Sequence, residues 1–199
     1  MSLILSGDLS LNSSGIVIMD LEKGTPVHYE SITSDIDDIE RLNYNYIRYR
    51  NLLSSYRDIR YIVYEAQNKQ MRFSYNAGSI LSIAENVGAW KLAIYHSLPY
   101  YSILPTVLSI PAQDIKKYAT DNGQATKEEM IAAVNGNHIK SIRRDIPEHS
   151  VNDVADAYHL ARMTRDLILN DKDYSKYVVR DYNLCKVKSP KILVPEEGI

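Results

Sequence analysis

Four carboxylates stand at the ends of apolar stretches in a chain of 199 residues. Asp8 closes the run Leu3–Asp8, Glu65 closes the run "RYIVYE", and Asp153 and Asp156 lie three apart near the start of the amphipathic stretch Val151–Leu169. A carboxylate at the end of a buried element is costly to desolvate unless positive charge compensates it, and several together favour a divalent cation. Hard oxygen donors select Mg²⁺ or Mn²⁺. If the first and fourth strands are neighbours, Asp8 and Glu65 lie roughly 5 Å apart, the spacing of adjacent strands. Residues at i and i+3 share a helix face, so Asp153 and Asp156 can project toward the same point. Such a cluster could hold two ions about 4 Å apart, one preparing an attacking water and one stabilising the leaving oxygen of a phosphodiester. Each acid also has a plainer reading. Asp8 precedes a turn and could be an Asx-turn residue. Glu65 could mark where a strand meets solvent. Ser150-Val-Asn-Asp153 has the form of a capping box.

Competing chemistries find little support. There is no GxxxxGK[ST] loop, GxGxxG, HExxH or GxSxG, and the five histidines have no metal-ligand spacing. Cys185 is the single cysteine, which excludes an internal disulfide and a multi-thiolate zinc site and fits a reducing, cytoplasmic setting. No run approaches the roughly 18 apolar residues that span a bilayer, so no membrane partner is expected. With 23 Lys and Arg against 25 Asp and Glu, a net charge of −2 gives no global attraction to nucleic acid. Any such partner must be held by local clusters. A hydrophobic share of 45% with 24% charged residues is ordinary globular usage.

The elements that must position the acids follow from patterning. Leu3–Asp8, Gly15–Asp20 and Val27–Thr33 read as three consecutive antiparallel strands separated by polar turns. Ser34 and the acids after it open a helix ending near Tyr56, and Arg60–Glu65 is an interior strand. Ile80–Tyr95 carries apolar residues at helical spacing. Ile103–Ile110 is a strand interrupted by Pro105, hence an edge strand or one that starts late. Two short basic helical segments follow between Ala112 and Met130, with Thr126-Lys-Glu-Glu129 as a helix entry. The expected architecture is α/β: a mixed five-stranded sheet, three antiparallel strands then parallel ones, flanked by helices on both faces. Residues 1–170 form this domain, and 171–199, charged and carrying Pro190 and Pro195, form a C-terminal tail.

The segments "GDLSLNSSG" around Asp8, "YIVYE" ending in Glu65 and "NDVADAYHLA" around Asp153 and Asp156 resemble the RuvC-type Holliday junction resolvases of the RNase H-like nuclease superfamily. The resemblance spans roughly Leu3 to Met163, and the D-x-x-D-A pattern in an Ala-rich helix is its most specific part. It implies an RNase H-like fold in which Asp8, Glu65, Asp153 and Asp156 coordinate two Mg²⁺ or Mn²⁺ ions, Asp8 bridging both. Lys116 and Lys127, eleven apart, match the family's two functional lysines, implying DNA contact and neutralisation of transition-state charge by Lys127; Lys117 fits the first slot equally well. The aromatic that probes the junction centre has no fixed register here, and Met71, Phe73 and Tyr75 are its candidates. A longer segment after Glu65, the tail and the acidic balance depart from the bacterial pattern and point to a divergent branch such as a phage or viral enzyme, acting in the host cytoplasm.

The expected function is a metal-dependent, structure-selective endodeoxyribonuclease that resolves four-way junctions in DNA recombination and repair. Phosphate contacts are expected from Lys116, Lys117, Lys127, Lys140, Arg143 and Arg144, while Arg41, Arg48, Arg50, Arg57 and Arg60 spread round a helix as solvent-facing charge. Because a four-way junction presents two equivalent phosphates, the enzyme is expected to be a homodimer. Leu81, Val87 and Trp90 belong either to the core or to that interface. A nuclease acting on flaps, forks or RNA–DNA hybrids, or a non-catalytic branched-DNA binding module on the same fold, is the alternative.

Overall fold

The structure is a computed structural model, and it describes residues 1–10, 13–36, 38–66 and 77–182. Strands β1 (Leu3–Asp8), β2 (Ser13–Asp20) and β3 (Pro26–Thr33) precede helix α1 (Asp38–Ser55), strand β4 (Ile59–Ala66) and helix α2 (Ala77–Ser97). Strand β5 (Thr106–Pro111), helices α3 (Ala112–Thr120), α4 (Lys127–Ala132), α5 (Gly136–Asp145) and α6 (Val151–Leu169) and strand β6 (Val178–Asp181) complete the order. β5 starts directly after Pro105, so the ring imposes a late start and leaves the ladder intact.

The strands form one sheet in the order β3-β2-β1-β4-β5-β6. β1 pairs antiparallel with β2 and β2 with β3, while β1, β4 and β5 are mutually parallel. The sheet has six strands rather than five. Val178–Asp181, within the segment expected as tail, pairs antiparallel with β5, which covers an edge that would otherwise offer unpaired backbone groups. Its four residues are too few to carry a strand pattern of their own, and Tyr177 beside it is buried.

Alternation along the strands divides the core in two. Ile4, Val17, Met19, Val63, Leu108 and Ile110 face α6 and the small helices, meeting Val154, Tyr158 and Ala161 of α6. Leu3, Leu5, Ile16, Ile18, Ile62 and Val107 face α1 and α2, meeting Tyr49, Leu53, Trp90 and Ile94. Val87 and Trp90 belong to this second core, whereas Leu81 is exposed. No helix among the described residues is long and apolar enough to cross a membrane.

Candidate active site

The adjacency of β1 and β4 decides the site. Their last parallel pair is Gly7 with Tyr64, so Asp8 and Glu65 emerge side by side one residue further on. Asp8 shares the sheet face of Ile4 and Ser6, and Glu65 that of Val63; this is the face covered by α6.

Two contacts bring the other acids to this edge. Ser6 Oγ, fully buried, donates to the Ala157 carbonyl at 2.7 Å and lies 3.1 Å from the Val17 carbonyl, tying α6 to β1 and β2. Gly15, the residue paired with Asp8 on β2, lies under the first turn of α6 with no room for a Cβ. Helix α6 therefore sits directly on the strand beside Asp8 and presents Asp153 and Asp156 to it. The Asp153 carboxylate accepts from Ser13 Oγ at 2.5 Å and from the Asn152 side-chain amide. Ser150 makes no side-chain cap, so the capping-box pattern is not realised; the chain enters α6 through the turn Glu148–Ser150 instead.

The electrostatics record the convergence. The Asp8 carboxyl is held well above the ordinary range by burial, then by Glu65, Asp156 and Asp153, with Lys127 opposing. Glu65 is pushed up to about 7 by burial and then Asp156, with Lys116 opposing. Asp156 rises to about 6 through burial and then Asp153, opposed by Lys116 and Lys127. Burial also raises Asp153, while the Ser13 hydrogen bond, Lys127, Asn152 and His149 hold it down. Four partly buried carboxylates within mutual Coulomb range cannot all ionise unaided. Among the described residues, however, no group of three or more His, Cys, Asp or Glu side chains is arranged to hold a metal ion. The acids face one another as a repelling cluster and do not form a closed ligand cage.

Lys116 and Lys127 both oppose the acids, Lys116 half-buried on α3 and Lys127 exposed at the start of α4. A capping box sets the α4 entry: Thr126 N–H donates to Glu129 Oε2 at 2.7 Å, and Glu129 N–H donates to Thr126 Oγ1 at 3.3 Å. Lys117, one residue on, faces solvent. Arg143 is exposed on α5, and Arg144 is tied by two bonds of 2.7 and 2.9 Å to Asp145, which also accepts from Tyr29. Met71, Phe73 and Tyr75 lie outside the described residues. His159, deep in α6, donates from Nε2–H to the Met130 carbonyl at 2.9 Å and is pushed down to about 4 by burial, so it is a neutral core residue.

Patterning did not pick out Ser6, Ser13, Gly15 or Asn86. The signals were faint but present: a glycine at a strand entry, and one amide inside the apolar helical run "SILSIAENVGAW".

No family model matches the chain, and no curated protein matches it. Solved structures do. A Thermus thermophilus RuvC structure is similar with a TM-score of 0.61 at 17% identity, covering 84% of this chain and 96% of that one. T. thermophilus RuvC in complex with Holliday junction substrate is similar with a TM-score of 0.63 at 17% identity, covering 85% and 96%. With the strand order and the acid-bearing edge already described, these matches give the chain a RuvC-like form of the RNase H-like fold.

Proposed function

We propose that this protein is a divalent-metal-dependent, structure-selective endodeoxyribonuclease that resolves four-way DNA junctions by paired phosphodiester hydrolysis. The observation carrying this reading is the meeting of Asp8, Glu65, Asp153 and Asp156, opposed by Lys116 and Lys127, at one edge of a RuvC-like sheet.

The residues fit Mg²⁺ or Mn²⁺. All four are hard oxygen donors, and Asp156 Oδ1 is buried with no hydrogen-bond partner among the described residues, a desolvated lone pair that a cation would satisfy. Asp8, Glu65, Asp153 and Asp156 would hold two such ions. When bound, the ions supply a nucleophilic water at neutral pH and stabilise the leaving oxygen. The chain's own contribution is positional and electrostatic. Lys127, in range of Asp8, Asp153 and Asp156, offsets negative charge developing at the phosphorus, and Lys116 does so from the Glu65 side. Lys117, Lys140 and Arg143, exposed on α3 and α5, grip flanking phosphates; Arg144 joins them by exchanging its Asp145 partner for phosphate. The products are 5′-phosphate and 3′-hydroxyl ends. Phe73 or Tyr75 would supply the aromatic that enters the junction.

A homodimer matches the twofold symmetry of the substrate. Its support is an exposed stripe on α2, Leu81 and Leu92 flanking Ala84 and Gly88. Addition of a Cβ at Gly88 meets nothing within 4 Å, so this face is open to a partner helix.

Labelled four-way junction, flap, fork, RNA–DNA hybrid and linear duplex, incubated with Mg²⁺ or Mn²⁺, provide the test. Symmetric cutting of the junction, abolished in Asp8→Asn with junction binding retained, is the expected result. Preferential cutting of flaps or hybrids moves the substrate to that class. Binding of junctions without any cutting establishes a non-catalytic module.

A further inference from the structure

On the α1–α2 side of the sheet, opposite the acids, a polar network is buried where apolar packing would be ordinary. Its hub is Asn86 of α2, fully buried. The Asn86 amide donates to the Ser10 carbonyl at 2.6 Å and to Ser14 Oγ at 3.1 Å, and its Oδ1 accepts from Asn45 and Tyr49, each at 3.1 Å. Both donors and both lone pairs of the amide are used. Ser14 Oγ also lies 3.0 Å from the Tyr49 hydroxyl, so two helices grip the chain just after Asp8.

The network continues to the acids. Ser10 Oγ donates to the Ser13 carbonyl at 2.5 Å and accepts from the Ser13 N–H at 3.2 Å. Ser13 Oγ then donates to Asp153 Oδ2 at 2.5 Å. The same hydroxyl is directed toward Ser150 Oγ at the longer distance of 3.3 Å, and Ser31 Oγ lies 3.2 Å away. A hydroxyl filled on every side has one orientation, and so does the carboxylate it holds.

We infer that Ser13 and Asn86 are positioning residues for Asp153: the relay Asn86–Ser10–Ser13 fixes the Asp153 carboxylate against Asp8 and so presets it for a divalent cation. The inference rests on the metal-dependent reading above. A side chain that orients a ligand carboxylate governs ion affinity without touching the ion; loss of such a partner ordinarily weakens binding about tenfold to a hundredfold. Helix α6 has other anchors in Ser6 and the fit on Gly15, so the hydroxyl of Ser13 is not needed to hold the helix.

Calorimetric titration of the full chain with Mn²⁺, without DNA, tests this on Ser13→Ala, Ser13→Thr and Asn86→Leu, with thermal unfolding measured alongside. Ser13→Ala is expected to weaken Mn²⁺ about tenfold or more with little change in Tm. Ser13→Thr, which restores the hydroxyl on a residue suited to strands, is expected to recover most of the affinity. Asn86→Leu is expected to weaken Mn²⁺ in the same direction, but it can unfold the chain, so the Ser13 pair decides. Wild-type affinity in Ser13→Ala, while Asp153→Asn loses Mn²⁺, overturns the relay and leaves the nuclease reading standing; so does failure of Ser13→Thr to recover affinity. Absence of Mn²⁺ binding by the wild-type chain, with no junction cut, overturns the nuclease reading and the relay with it.

Discussion

A Cβ placed on Gly15 would lie 2.0 Å from the carbonyl oxygen of Asp153, closer than any real side chain approaches backbone. Gly15 pairs with Asp8, so the glycine sets the distance between the strand-borne and helix-borne acids. Gly15→Ala is expected to push the first turn of α6 away from β2, costing about 1–3 kcal/mol of stability and abolishing cutting. Urea unfolding and junction cleavage check this. Wild-type values in both would mean that α6 does not pack on β2 as described.

The acid cluster makes stability depend on pH in a definite direction. Folding raises the carboxyls of Asp8, Glu65 (to about 7) and Asp156 (to about 6), so the native state binds protons more tightly than the unfolded chain. In that case stability falls as pH rises: the strain is absent below the unfolded values near 4, grows through the interval to about 7 and is complete above it. Unfolding in EDTA should therefore show lower stability at pH 8 than at pH 5. Glu65→Gln should be more stable than wild type at pH 8, on the order of 2 kcal/mol, with the gain vanishing near pH 4. Mg²⁺ should reduce the difference. Affinity for Mg²⁺ should weaken as pH drops below about 7, where Glu65 and then Asp156 take up protons in competition with the ion.

The lysines separate by location. Lys116→Ala and Lys127→Ala, which remove cations that oppose the acids, should each lower the cutting rate about 10²–10³-fold with modest loss of junction binding. Lys117→Ala and Arg143→Ala should instead reduce the salt slope of binding by about 1 and leave the cutting step nearly unchanged. Single-turnover kinetics and salt-dependent binding distinguish the two groups.

The exposed stripe on α2 gives a test of assembly. Leu92→Glu places a charge among Leu81, Ala84 and Gly88 at a position already open to water in the single chain. Sedimentation should show a dimer in wild type and a monomer in the variant, with unfolding midpoint unchanged. A monomeric wild type would remove the support for the proposed paired cutting.

Much of the site is legible in one dimension because its parts are local. Asp8 and Glu65 stand where strand-forming runs stop, and Asp153 and Asp156 occupy one face of a helix whose period spans Val151–Leu169. Period-two and period-3.6 patterns report burial within a single element, and they place these acids at element ends without knowledge of any partner. The fold class and the α6 boundaries follow from the same signal. The sixth strand was not legible, because the four residues Val178–Asp181 are too few to carry a pattern and exist as a strand through pairing with β5.

The meeting of those ends belongs to tertiary structure. That β1 lies beside β4, that Gly15 admits the α6 backbone, that Lys116 opposes the acids while Lys117 faces solvent, that Ser13 reaches Asp153, and that Asn86 holds the Ser10 carbonyl from the other face of the sheet all depend on contacts between residues distant in the chain. A serine or an asparagine has the same local preferences wherever it lies; its role is set by which donor, acceptor or backbone the packed core brings within about 3 Å of it.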